Sequence, residues 1–415
     1  MADAAQTYPI FEIPYLRLFP WLRLFHAPSS AAEPKRLMLA LAGIILLSAG
    51  WSAIDVAAPG VNTWAPNGLP TEGTPAPSDL AGLAGRLIEP AALVVRPFIL
   101  SFKSGAPAAD LLGAAAATLW AVAVWSLFGG AIARIAAFRV ARGERLGLFA
   151  AMRYVLRKLP ALLSTPLLPL TGVVLMGAGL ALFGLLYRIP GGFGRTTAGV
   201  LAFLPLLGGL VLTLILTGLG FGWPLMTASV AAEDDDAFDA MSRSYAYVRQ
   251  RPWLYLLYGL IALAAGIGGL LFVDLFAQLV VRLAGWGLAF GGGPAAVLAF
   301  YQPEGPFRDA ALDHTMAASA HAFWLGLVGL LARAWVFSYF WTAAETIYLL
   351  LRRDVDSTPI NLIACDSGPS LLAQAAAGGP TLARPGFAKS DAAATSTVPG
   401  PHAPVGPSSE SAEPA

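Results

Sequence analysis

The chain predicts an all-α fold: a polytopic transmembrane helical bundle of six spans, with both termini in the cytoplasm and short amphipathic helices at the interface. Three observations predict it. Of 415 residues, 57% are hydrophobic and 12% are charged, with a mean hydropathy of +0.66, against about 25% charged in ordinary soluble domains. Six apolar stretches are each long enough to cross a hydrocarbon core of ~30 Å. Lysine and arginine divide unequally between the two sets of loops that those stretches define.

The spans fall at 37–56, 110–135, 161–187, 198–228, 253–275 and 322–351. Unpaired backbone groups are too costly in lipid for anything but helices or a closed barrel. The absence of period-2 alternation excludes the barrel. The first stretch follows a long aromatic-rich segment and exceeds a signal-peptide core, so it reads as a retained signal-anchor. With the N-terminus inside, 16 Lys and Arg face the cytoplasm and 7 face outward, although the outer side holds the two long loops. That is the positive-inside bias.

Three regions follow. Residues 1–36 form a cytoplasmic basic and aromatic segment, in which Arg17 and Arg23 alternate with Leu, Phe and Trp21. This is headgroup-region chemistry and predicts an inner-surface anchor. Residues 37–357 form the transmembrane domain. Residues 366–415 are rich in Ala, Pro, Ser, Gly and Thr, cannot bury a core, and predict a disordered cytoplasmic tail. The outer loop from 57 to 109 has an apolar second half, Asp79 to Phe102, that predicts a helix on the outer membrane surface.

One unit occurs twice. Phe149-Ala150-Ala151-Met152 precedes Pro160, and Phe238-Asp239-Ala240-Met241 precedes Pro252. In each copy apolar residues share a helix face, Phe149, Met152, Leu156 and Leu159 in the first and Phe238, Met241, Tyr245 and Val248 in the second. Both read as amphipathic helices on the inner surface; equal orientation suits a parallel internal repeat, although Met152 to Pro160 spans eight residues and Met241 to Pro252 eleven, and the alternative is that any re-entry segment between membrane helices looks amphipathic. The run Glu233-Asp234-Asp235-Asp236 stands where a helix starts, and negative charge there complements the helix dipole. A cation or partner site is the sharper alternative.

The composition argues against several functions. A net charge of +1 gives no pull toward nucleic acid. One cysteine, Cys365, and four histidines make a dense metal centre unpromising, and no cofactor is expected. The glycine clusters at 191–194 and 291–293 lack the Lys-Ser/Thr ending of a phosphate loop and read as turns. Asp313, His314, Ser319 and His321 include the residue types of a hydrolytic triad, without a nucleophile elbow. Gly177, Ala181, Ala262, Gly266 and Gly269 permit close helix packing.

Ionisable groups within spans are the candidate functional residues. Arg333 lies about 27 Å along the last span from Leu351 at 1.5 Å per residue. It reads as a snorkelling arginine or, alternatively, as the partner of Asp274. Glu345 lies roughly 9 Å from Leu351 by the same rise. Ser338, Thr342 and Glu345 form a polar stripe that should face the bundle interior, with Arg134 as a partner. Packing polarity is the plainer reading of that stripe, and a proton or substrate path the other.

Trp223-Pro224-Leu225-Met226, then Ala237 through Tyr245, Arg251-Pro252-Trp253 and Ile347 through Asp356 are similar to segments of uncharacterised bacterial multi-pass integral membrane proteins. An amphipathic helix feeding a Pro-Trp-opened span more distantly resembles the membrane domain that accompanies some glycerophosphodiester phosphodiesterases, whose acidic metal site has no counterpart here. The resemblance implies a fold type and a bacterial inner-membrane location, and brings no activity. The expectation is a non-enzymatic membrane protein that binds lipids or partner proteins, or a homo-oligomer. A transporter or permease component is the alternative.

Overall fold

The computed structural model describes residues 19–58, 80–102, 105–190, 192–301 and 312–364. The proposed tail at 366–415 and the first part of the N-terminal segment lie outside the described residues. Every regular element among them is helical. Two short turns, Pro20–His26 and Ala27–Ala31, lead into α1 (Pro34–Ala57). Then come α2 (Leu80–Leu87), α3 (Glu89–Leu100), α4 (Ala108–Arg142) and α5 (Leu148–Gly184). The chain continues through α6 (Gly192–Val200), α7 (Phe203–Glu233), α8 (Ala237–Gln250), α9 (Pro252–Tyr301) and α10 (Leu312–Asp356). Six of these, α1, α4, α5, α7, α9 and α10, are long and apolar enough to cross a membrane. The chain is a multi-pass helical membrane protein.

We call the end where α1 begins and α10 finishes basal, and the other distal. Helices α4 and α10 form the axis, with α1, α7 and α9 packed around them and α5 against α4 and α7. Trp125 of α4 stacks on Phe337 of α10, with ring centroids 4.7 Å apart, and Trp223 of α7 meets Trp341 edge-on at 5.3 Å. Gly129 lets the Trp341 ring lie on α4, since a Cβ there would come within 2.4 Å of it. Gly266 and Gly269 of α9 do the same for Tyr339 and Trp335. Ala262 is buried with them, whereas Gly177 only touches Phe102 and Ala181 is exposed. Toward the distal end, Leu175, Leu206, Leu214, Phe272 and Phe276 point outward, a surface that hydrocarbon solvates.

Four elements depart from the sequence expectation. The first Phe-x-Ala-Met copy is no separate helix: α5 runs unbroken through Pro160, Pro166 and Pro169. Pro166 has no N–H to donate to the Leu162 carbonyl, and Ser126 (3.1 Å) and Thr165 (2.9 Å) donate their hydroxyls to it instead. The second copy does break, because Arg251 leaves helical geometry ahead of Pro252. Helix α8 then packs along α7, with Ala240, Ser244 and Tyr247 buried, so it is held by protein on that face. The two copies therefore fold differently.

Residues 80–100 form two helices packed on α4, α9 and α10, with Leu83, Leu87, Leu93 and Val94 buried, instead of one helix on the surface. Helix α9 continues past residue 275 and through Gly291, breaking only at Gly293, whose φ is 64°. The N-terminal turns wedge between α9 and α10 by way of Leu24, Ala27 and Ala31, and leave Phe19, Trp21 and Phe25 outward.

Candidate functional site

Polar side chains concentrate in the basal half, where α4, α7 and α10 converge. Ser338, Thr342 and Glu345 are all fully buried. Ser338 donates to the Ala31 carbonyl at 2.7 Å, and Arg36 donates to Thr342 at 3.2 Å. Arg36 is itself buried beside Glu33, 3.2 Å away. Glu345 is different: among the described residues neither carboxyl oxygen has a hydrogen-bond partner.

Arg134 lies within electrostatic reach of Glu345, but its N–H groups go elsewhere. They donate to the carbonyls of Ala231 (2.6 Å) and Ala364 (2.8 Å), with the guanidinium 3.8 Å over the Tyr154 ring. Arg134 thus faces Glu345 as a charge and not through a hydrogen bond. The competitor is a strap at 357–364 that folds back over the basal end. Arg352 donates to Pro359 O (3.1 Å) and Leu362 O (2.6 Å), Arg142 to Ile363 O (3.3 Å), and Ala364 N to Ala232 O (2.8 Å). Ile360 and Ile363 anchor the strap in the core.

Glu233 is the hub of the lattice. It accepts from Tyr348 (2.7 Å) and Arg352 (3.2 Å), and pairs with Arg243. The acidic run divides its work. Asp234 holds Lys158 at 3.1 Å, and Asp235 accepts from Ser229 at 2.5 Å. Asp236 caps α8 by accepting from the N–H groups of Phe238 and Asp239, both at 2.9 Å. Only this last residue serves as the helix start. Sequence reasoning read Glu233 only as part of a helix start or a cation or partner site, and passed over Tyr348 and Arg352 as site residues. The spacing 345, 348, 352 continues the stripe by one helical turn on each step and was the available signal.

Burial, reinforced by Glu233 and opposed by Ser229 and Arg243, pushes the Asp235 carboxyl up from its ordinary 3.8 to about 6. A folded-state value above the unfolded one means that the folded protein binds the proton more tightly. The site's contribution is therefore fullest below pH ~4 and is lost as pH rises through ~6. Thermal unfolding in detergent should show this limb, and Asp235→Asn should flatten it. An unchanged slope in the variant would contradict the assignment.

At the distal end the proposed Arg333–Asp274 pair is also corrected. Arg86 takes Asp274 with two bonds, at 2.5 and 3.0 Å, and Arg333 pairs with Glu89. The α2–α3 turn inserts Arg86 and Glu89 between the two. Among the described residues no group of three or more metal-ligating side chains converges. His321 meets Phe300 edge-on, and the side chains of Asp313 and His314 lie outside the described residues. No known protein family, curated protein or solved structure matches this chain.

Proposed function

We propose that this chain is a non-enzymatic integral protein of the bacterial cytoplasmic membrane, spanning it six times with its basal end inside, and that it engages lipids or partner proteins at the inner leaflet. The observation that carries this reading is the basal surface. Trp21, Phe25, Phe149, Phe238 and Trp253 are exposed there, near the exposed arginines 145, 153, 249 and 251. Apolar rings beside guanidiniums suit the headgroup region. The basic residues counted in the sequence set the orientation. The lattice below is tied by ion pairs and backbone carbonyls, which is a structural use of charge.

The test is gentle extraction into native nanodiscs, followed by mass spectrometry of what travels with the protein. Enrichment of anionic lipid over bulk membrane, or a stoichiometric partner, is the expected result. Bulk lipid composition with no partner would overturn the reading. Glu345 favours a second reading, a transporter component, because an unpartnered buried carboxyl is a costly thing to keep. That reading requires a reconstituted flux that Glu345→Gln reduces.

A further inference from the structure

At the basal end a cavity of about 600 Å³ opens between the N-terminal turns and the end of α4. Its lining includes Arg23, His26, Ser29, Ser30, Arg139 and Arg145. A neighbouring cavity of about 520 Å³ shares Arg23 and adds Arg353. The volume is in the range of small-molecule sites, ~300–1,000 Å³.

The charges in this cavity do not balance. Three guanidiniums line it against one carboxylate, Glu33. Glu33 is already engaged, 3.2 Å from Arg36 and 3.6 Å from Arg139. Among the described residues neither Arg23 nor Arg145 has an ion-pair partner. Arg23 donates one N–H to the Val140 carbonyl at 2.9 Å, and its Nε is buried with no acceptor. Burial and the nearby charge of Arg353 both lower the Arg23 pKa, so its positive charge sits where protein and solvent compensate it poorly. An anion entering the cavity would neutralise the cluster, accepting charge-assisted hydrogen bonds from the guanidinium N–H groups that reach it.

The surroundings narrow the anion. Trp21 and Phe25, two residues on either side of Arg23, project outward with ring centroids 6.2 Å apart. Such rings lie at the depth of lipid headgroups. Basic pockets between membrane helices on this side take phosphate-bearing headgroups.

We propose that this cavity binds the phosphate of an anionic membrane lipid, with Arg23 and Arg145 as its principal donors and Trp21 and Phe25 against the lipid's glycerol and upper chains. The proposal deepens the inner-leaflet reading above and rests on it.

The experiment uses the full chain in detergent and native mass spectrometry, titrating phosphatidylglycerol against phosphatidylcholine of identical acyl chains. Wild type should retain phosphatidylglycerol preferentially. Loss of two charge-assisted bonds in the double variant Arg23→Gln/Arg145→Gln should weaken retention about tenfold or more. Arg188→Gln/Arg195→Gln, which removes equal charge from exposed positions of the distal end, should leave it unchanged. Arg145→Gln alone, at an exposed position, should weaken retention measurably in a protein of wild-type melting temperature, which covers the case in which the double variant misfolds.

Undiminished retention in both cavity variants would overturn the site, as would equal loss in the Arg188/Arg195 control. Displacement by millimolar inorganic phosphate would instead assign the cavity to a soluble anion and overturn the lipid. A wild type without preference for phosphatidylglycerol, and without any partner on extraction, removes the inner-leaflet reading itself. A wild-type preference that the cavity variants keep removes only the cavity.

Discussion

Glu233→Ala should destabilise the protein by about 3–5 kcal/mol, the cost of breaking a buried ion pair from one side. The carboxylate serves three donors at once, Arg243, Tyr348 and Arg352, from two different helices. Removing it strands the Arg352 charge in the core and breaks the link from Arg243 of α8 to the end of α10, leaving Tyr247 on Asp356 as the remaining polar tie between them among the described residues. Unfolding by sodium dodecyl sulfate titration in mixed micelles reads the loss. Glu233→Gln keeps one acceptor and should fall between. Arg352→Met combined with Glu233→Ala should recover part of the loss, because no charge is then left alone. A cost below about 1 kcal/mol, the range of an exposed pair, would mean that the strap and apolar packing hold the basal end without the hub.

Glu345→Met should move stability the other way, by about 1–3 kcal/mol in favour of the folded state, the usual penalty of an unmade buried hydrogen bond. Methionine has nearly the same length and no polar atoms to satisfy. Chemical or thermal unfolding in the same micelles measures the gain. A destabilised variant would show that Glu345 is held by charge from Arg134 and Arg352 strongly enough to need no hydrogen bond. A stabilised variant identifies the carboxyl as retained against the interest of the fold, which is the pattern expected where a group is kept for function.

The legible part of the structure follows one-dimensional physics. Six apolar stretches became six long helices because a chain in lipid satisfies its own backbone within each segment. The stripe Ser338, Thr342, Glu345 lies on one face because 3.6 residues make a turn. Its burial and its neighbours are tertiary facts. The role of Asp236 as a cap was likewise local, and readable from its position before α8.

What could not be read depends on which segments meet. Arg134 is separated from Ala364 by 230 residues and from Ala231 by 97. No spacing rule relates them, and two backbone carbonyls carry no sequence signature, so a carboxylate looked like the better partner. The alternative that paired Arg333 with Asp274 gave way for the same reason: α2 and α3 came inward against α4 and supplied Arg86 and Glu89. The prolines show the limit most clearly. Pro252 begins a helix and Pro160, Pro166 and Pro169 are absorbed into one, and at Pro166 a hydroxyl from Ser126, forty positions earlier, helps to replace the lost donor.

By itself, then, the sequence determined the solvent of this protein, its helical class and the number of helices long enough to span, since those depend on composition summed along the chain. The tertiary structure alone decided which charges pair, that the strap closes the basal end, and that Arg23, Arg139 and Arg145 share one cavity with too little negative charge. Hydrogen bonds and ion pairs act over a few ångströms, and only the folded chain brings residues so distant in sequence that close.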